Sequence, residues 1–163
     1  MKLKIFIAIR ILAVASVIAL ATGLTEAAKP VITADTTYFD ASTGLYVLDG
    51  NVRIEVRNRV MTAGHAKVSM SSMEVWGTGG VTFKKGQYHF AGGSVYVYGK
   101  KNYAKIDGGV DFFTPDLHIT SDRAEYNWET STGTFSGNVH VTQNGQSWTA
   151  DTVVYNIDKN EFQ

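Results

Sequence analysis

The stretch SGNVHVTQNGQSWTADTVVYN, from Ser136 to Asn156, decides the fold because two short strings inside it recur along the chain. Strings related to Gly-Asn-Val at 137–139 and to Trp-Thr-Ala-Asp at 148–151 recur with a period of 29, without insertions. Such constant spacing is typical of stacked repeats. The first series comprises Gly50-Asn51-Val52, Gly79-Gly80-Val81, Gly108-Gly109-Val110 and Gly137-Asn138-Val139, and the second contains the column residues Asp35, Gly64, Gly93, Asp122 and Asp151.

The residues that follow each glycine pair alternate between apolar and polar. Val52, Ile54 and Val56 alternate with Arg53 and Glu55. A period of two indicates a strand with one buried face, and no segment of 29–163 carries a sustained apolar stripe at helical spacing. The chain is therefore predicted to be all-β, with two strands per unit, nine strands in total and a partial tenth at 159–163.

The loops between these strands are short, which predicts antiparallel neighbours. The predicted architecture is a stack of two facing sheets, each gaining one strand per unit. Five strands per sheet at ~4.8 Å spacing give a stack of roughly 24 Å. In the second series apolar residues alternate with polar ones, and this alternation shifts by one residue where the chain passes the column residues. The shift predicts a β-bulge at the column residues. Ordinary turns at these residues are the alternative.

Residues 1–28 have the layout of a secretory signal peptide. Lys2 and Lys4 precede an apolar run at 11–21, and small residues lead to Ala27 and Ala28, where cleavage is predicted. An uncleaved membrane anchor at 5–24 is the alternative, although Arg10 would be costly in a bilayer. In both cases residues 29–163 form a single domain outside the cytoplasm.

Charge and composition exclude several functions. Removal of residues 1–28 takes away three of 15 basic and one of 15 acidic residues, which leaves a formal charge of −2. A nucleic-acid-binding protein would carry a basic surface instead. The chain has no cysteine, so disulfides and thiolate chemistry are excluded. The four histidines show no HExxH spacing, and Asp122 and Asp151 recur as repeat elements, so no catalytic residue, metal ligand or cofactor is predicted.

The motifs GNVRIEV, ITSDRAEYN, SGNVHV and WTADTVVYN, from a repeat that spans residues 31–163, resemble the LptA/OstA family of periplasmic lipopolysaccharide-transport proteins. The resemblance implies a twisted open β-jellyroll that carries the acyl chains of lipid A in its apolar interior, without enzymatic activity. It also implies related jellyroll proteins of the inner- and outer-membrane complexes as partners. Small inward residues such as Ala63 and Ala150 would leave room for a guest, or else they let the layers approach around a solid interior.

The inward phase of the strands, combined with this resemblance, predicts which residues line the interior. They are Val52, Ile54, Val56, Val68, Val81, Phe83, Phe90, Val95, Val97, Val110, Phe112, Ile119, Tyr126, Val139, Val141, Trp148, Val153 and Tyr155. The terminal strands are predicted to leave unpaired edges for head-to-tail association. The predicted edge residues are Ile32, Thr33, Thr37, Val153, Val154 and Tyr155.

Two other interpretations stay open on the sequence. An uncleaved N-terminus would make the chain a membrane-anchored, LptC-like partner in the same pathway. Outward aromatic residues such as Tyr38 and Tyr96 would instead suit an exported carbohydrate-binding or structural repeat module.

Overall fold

The computed structural model describes residues 31–56 and 59–163, and the predicted signal peptide lies outside this range. The described chain forms antiparallel strands with one 3₁₀ turn at Gly99–Lys101. The strands are β1 (Val31–Thr33), β2 (Thr36–Asp40), β3 (Leu45–Val56), β4 (Arg59–Ser69), β5 (Glu74–Lys85), β6 (Tyr88–Tyr98), β7 (Tyr103–Phe113), β8 (Leu117–Asn127), β9 (Thr132–Gln143), β10 (Gln146–Asn156) and β11 (Glu161–Phe162).

The predicted all-β class and antiparallel order are confirmed. Each strand from β3 to β10 pairs with its sequence neighbour, as expected of strands joined by tight turns. The turn between β9 and β10 shows the local cause. Asn144 and Gly145 have φ angles of 50° and 78°, the left-handed pair that a two-residue hairpin turn requires. The predicted first strand is divided into β1 and β2 around Asp35, and β11 is the predicted partial strand.

The two expected sheets are halves of one continuous sheet. Its order is β1-β3-β4-β5-β6-β7-β8-β9-β10-β11, with β2 also paired to β3. All ten strand positions therefore lie along one stacking direction, because each repeat adds two strands to the same sheet. At ~4.8 Å per strand the nine spacings amount to roughly 43 Å, and the roughly 24 Å expected from two separate sheets is too short.

A line of bulges crosses the sheet at the glycine pairs. In each case the two residues of the pair lie opposite a single column residue, as where Gly50 and Asn51 face Gly64. Both members of every pair have positive φ, for example 75° at Gly50 and 48° at Asn51. The predicted bulge is therefore at the right level of the sheet, but the extra residue belongs to the glycine-pair strand and not to the column strand. Glycine and asparagine are the residues that tolerate this conformation.

The bulge line divides the sheet into two layers that face each other. Layer A contains β2, the parts of β3, β5, β7 and β9 before their glycine pairs, and the parts of β4, β6, β8 and β10 after their column residues. Layer B contains β1 and the other halves. Phe112 in layer B lies 5.6 Å from Phe135 and 6.1 Å from Tyr155, ring centre to ring centre, and both of these are in layer A. The apolar interior therefore lies between the layers, and the strand ends opposite the bulge line form a seam.

Candidate functional site

The interior between the layers is most tightly packed near the C-terminal end of the stack. Phe112 and Ile119 of layer B and Phe135 and Tyr155 of layer A are completely buried there. Phe90 extends this aromatic group toward the middle, 5.0 Å from Phe112 and 6.0 Å from Phe135 between ring centres. The protein's own side chains fill this part of the interior.

The middle of the stack is less closed. Every residue of β6 is partly exposed, and β6 separates the C-terminal cluster from two smaller clusters around Leu48 and Val68. Met70 and Met73, in the turn between β4 and β5, are partly buried and pack against the cluster of Val68 and Val75. Methionine adapts its shape easily and is common where a surface must accept varied apolar partners. The part of the interior around β6 is therefore the candidate binding site.

The small inward residues in this region do not by themselves create an empty space. A Cβ atom on Gly77 would lie 2.9 Å from Cγ1 of Val95, and one on Gly92 would lie 2.4 Å from Cγ2 of Ile106. Neighbouring side chains already occupy the volume that larger residues would need. Of the two expectations, a roomy interior and close approach of the layers, the contact of Gly92 with Ile106 corresponds to the second because it joins layer B to layer A. The contact of Gly77 with Val95 lies between adjacent strands of layer A. A guest would therefore have to displace side chains or separate the layers.

The structure brings most of the predicted lining residues to the interior face. Five of them are only partly buried, Trp148 is 39% exposed at the end of the stack, and the side chain of Val56 lies outside the described part. The buried members are Val52, Ile54, Val68, Val81, Val110, Phe112, Ile119, Val139, Val141, Val153 and Tyr155. The partly buried members are Phe83, Phe90, Val95, Val97 and Tyr126.

Sequence reasoning missed a row of interior residues just before the glycine pairs. Leu48, Gly77, Ile106 and Phe135 recur with the same period as the glycine pairs and occupy equivalent positions in layer A. Leu48 and Phe135 are both fully buried. The repeat period could have identified this row, because it lies two residues before each pair and continues the period-two pattern backward.

The seam is bridged near the C-terminal end. The hydroxyl of Tyr88, at the layer B end of β6, donates a 3.4 Å hydrogen bond to the carbonyl of Ile157, which follows β10 in layer A. A cleft of about 430 Å³ lies beside this contact, lined by residues 85–88 and 114–116 together with Asn160. The contact brings the two layers together at one end of β6, next to the part of the interior that is already solid.

The two ends of the sheet differ in how far they are covered. Ile32, Thr33 and Thr37 lie on β1 and β2, whose outer edges have no partner among the described residues. At the other end β11 pairs with Tyr155, and the amide of Gln163 donates to the carbonyl of Val154. The uncovered part of that edge is therefore Gln146–Val153, so Val153 lies at its limit while Val154 and Tyr155 are covered.

The outer face of layer A carries a run of stacked aromatic rings. Trp76 and Tyr96 are 5.6 Å apart and Tyr96 and Tyr98 are 5.9 Å apart, measured between ring centres. The hydroxyl of Tyr96 donates to the carboxylate of Glu74, and this hydrogen bond raises the pKa of Tyr96 to about 12. Burial and, as the second largest cause, a hydrogen bond to Glu125 raise the pKa of Tyr103 to about 12.

Three of the four histidines contact another side chain. His65 pairs with Asp49, His118 pairs with Asp111 at 2.7 Å, and His89 stacks on Phe113 with ring centres 4.4 Å apart. Within residues 31–56 and 59–163, no three His, Asp or Glu residues are grouped so that they could hold a metal ion.

Fold and site together define a class of protein, a repeat-built open β-jellyroll with an apolar interior between two halves of one sheet. Residues 118–163 match the family described as LptA/(LptD N-terminal domain) LPS transport protein, and they contain the last two members of the column series. This match confirms the resemblance to the LptA/OstA-like family.

A match among the solved structures is the crystal structure of LptH, the LptA homologous periplasmic component of the conserved lipopolysaccharide transport device from Pseudomonas aeruginosa. The two chains are 14% identical, the similarity covers 82% of this chain and 80% of that chain, and the TM-score is 0.35. The curated proteins include no match to this sequence. A search of the described residues for a helix long and apolar enough to cross a membrane found none.

Proposed function

We propose that this chain is a periplasmic carrier of lipopolysaccharide that shelters lipid A acyl chains between its two layers and catalyses no reaction. The observation that carries the proposal is an apolar interior between two halves of one sheet, in which every residue of β6 is partly exposed. The family match over residues 118–163 supports the choice of lipopolysaccharide as cargo.

Burial of acyl chains would supply enough free energy for binding. Each methylene group removed from water contributes ~0.8 kcal/mol, so about ten methylenes contribute roughly 8 kcal/mol before binding costs. Part of this is consumed in separating the layers, because side chains such as Val95 already occupy the space. Separation is least costly around β6, where no residue is fully buried. The site is therefore proposed to be closed when empty and to open along the seam as the acyl chains are inserted.

A charge placed on the inner face of β6 tests this proposal. Val97→Glu puts a carboxylate among the proposed acyl contacts, and His89→Glu puts the same charge on the outer face of the same strand. Both wild-type positions are partly exposed. The Val97 variant is expected to lose bound acyl lipid, measured by mass spectrometry of the purified protein and by displacement of a fluorescent fatty acid. The His89 variant is expected to keep it. Equal binding by two variants with equal melting temperatures would refute the proposal.

Association of several carriers would extend the path. We propose that a stack of roughly 43 Å does not bridge the periplasm by itself. Carriers would instead join head to tail through the edges of β1–β2 and β10. The inner- and outer-membrane jellyrolls of the pathway are the proposed partners at the two ends. The membrane-anchored alternative is distinguished by the mass of the mature protein, since an uncleaved anchor retains residues 1–28.

The aromatic run on the outer face of layer A favours one other candidate function, a carbohydrate-binding surface. Near this run lies a cleft of about 600 Å³, lined by Tyr103, Glu125, three threonines, two asparagines, Lys159 and Gln163. Hydroxyl and amide groups beside an aromatic ring suit sugar hydroxyls and ring faces. Titration with chitohexaose, followed by NMR, tests this candidate. Chemical-shift changes at Tyr103 that disappear in Tyr103→Ala would favour it, and unchanged spectra would exclude it.

A further inference from the structure

The bulge line contains a repeated contact between an aspartate and an asparagine. The Asn51 side-chain amide donates a 2.9 Å hydrogen bond to Oδ2 of Asp35, and Asn138 makes the same 2.9 Å bond to Oδ2 of Asp122. In both cases the asparagine is the second residue of the bulge in the strand that follows the aspartate. The first residue of each bulge is glycine, and a Cβ atom at Gly50 would collide with the Asp35 carboxylate.

The other repeats replace this contact with glycine alone. Gly64 faces the bulge Gly79-Gly80, and Gly93 faces Gly108-Gly109. The strands are so close there that a Cβ atom on Gly64 would lie 2.9 Å from the carbonyl oxygen of Gly79. The column residue and the bulge that follows it are therefore matched, since aspartate occurs with Gly-Asn and glycine occurs with Gly-Gly.

Asp151 is the last column residue, and the strand that would follow it is incomplete. Its side chain is exposed, and β11 pairs only with the far end of β10, beyond Val153. The ring of Phe162 in β11 also lies 5.3 Å from the ring of Trp148, centre to centre. Among the described residues, nothing pairs with the outer edge of Gln146–Val153. Trp148, in this open segment, is 39% exposed, although Ile119 and Val141, which lie in the same row of layer B, are fully buried.

We propose that this edge accepts an antiparallel strand of another protein chain that carries Gly-Asn followed by apolar residues at alternate positions, and that Asp151 selects the asparagine. The repeat sets the register of the incoming strand. Its first residue after Gly-Asn would face Ala150, and the residue two positions later would cover Trp148, as Val139 and Val141 do on the inner side. The outer strands of a second copy, β1 and β2, contain no Gly-Asn. The inferred partner is therefore a different chain, one of the jellyroll partners put forward under Proposed function for the two ends of the array, and the inference rests on that proposal only for its biological setting.

Two short peptides test the selection directly. One is SGNVHVTQ, the chain's own sequence at 136–143, and the other is SGGVHVTQ, in which the asparagine is replaced. The wild-type protein is expected to bind the first about tenfold more tightly, as the loss of one hydrogen bond to a charged group predicts. Asp151→Gly is expected to lose this preference, and it should fold because glycine occupies the same column at Gly64 and Gly93. Asp116→Asn, a change of another exposed aspartate, should keep the preference.

Binding would be measured by the fluorescence anisotropy of labelled peptides, and the site would be located by hydrogen exchange of residues 146–153. Equal affinity of both peptides for wild type and Asp151→Gly, no binding up to about 1 mM, or protection of β1–β2 in place of β10 would each overturn the inference. The peptides contain no lipid. Selective peptide binding without lipid binding would therefore leave the inference standing and refute only the carrier function. Lipid binding without selective peptide binding would refute the inference and leave the carrier function standing.

Discussion

Alanine at two glycines of one bulge should have different costs, because the two glycines are required for different reasons. A Cβ atom at Gly64 would meet the carbonyl oxygen of Gly79 at 2.9 Å, whereas ordinary contact begins at 3.4 Å, and it would meet two more backbone atoms at 3.2 and 3.3 Å. Backbone on the adjacent strand cannot rotate away as a side chain can, so the strands must separate. A cost near the upper end of the usual range for overpacking, about 2–3 kcal/mol, is expected for Gly64→Ala.

Gly80 differs because nothing lies within 4 Å of a Cβ atom placed there, but its φ is +78°. An L-residue in the left-handed region costs about 1–2 kcal/mol, and alanine returns about 0.4–1 kcal/mol by restricting the unfolded chain. Gly80→Ala should therefore destabilise the fold by about 1 kcal/mol or less. Gly80→Asn should cost less still, since Asn51 and Asn138 adopt this conformation at equivalent positions.

Urea unfolding followed by circular dichroism would measure these differences, with thermal melting as a second readout. At about 2–4 °C per kcal/mol for a chain of this length, Gly64→Ala should lower the melting temperature by about 4–12 °C. If Gly64→Ala were no more destabilising than Gly80→Ala, close contact between strands would not be the reason for glycine in the column.

Three further outcomes are expected. Phe135→Ala should lower the free energy of unfolding by about 3–5 kcal/mol, measured by urea unfolding, because the Phe135 ring is fully buried. Phe113→Ala should lower it by less than about 1 kcal/mol because Phe113 is exposed. Similar losses for the two variants would contradict a solid C-terminal interior. Tyr88→Phe removes the long hydrogen bond across the seam, so stopped-flow uptake of a fluorescent fatty acid should be about twofold faster, and unchanged uptake would show that this contact does not limit opening. Because the pKa of Tyr96 is raised from 10.0 to about 12, its hydrogen bond to Glu74 contributes fully to stability below pH 10.0, and this contribution is lost as the pH approaches about 12. Glu74→Gln should therefore shift part of the tyrosinate absorbance titration to lower pH. Superimposable titration curves of the variant and the wild type would argue against the hydrogen bond.

Much of the fold could be predicted because the repeat has no insertions. The glycine pairs and column residues locate the bend, and alternation identifies the inward side of Val52, Val81, Val110 and Val139. The choice between one sheet and two could not be made this way, since a bent strand and two separate strands give the same alternation. Which strand holds the extra residue also depends on pairing across strands, which a single strand's periodicity does not reveal.

The candidate site was predicted less completely, because packing between the layers depends on which side chains meet. Gly92 suggested free space in the sequence, but Ile106 fills that volume from the neighbouring strand. Phe135 was missed because it precedes its glycine pair, in a position where Gly77 stands in another unit. The covering of Tyr155 by β11 required the tail to fold back over β10, which no pattern within β10 indicates.

The unvarying length of the unit makes the size of this protein adjustable. Deletion of residues 79–107 would join Thr78 to Gly108, and Gly64 would then face Gly108-Gly109, a combination that the chain already tolerates one step further along. The shortened molecule would lack two strands and about 10 Å of its span. Duplication of the same segment would lengthen it by as much, so evolution or design can set the reach of such a molecule in whole increments without inventing a new bend.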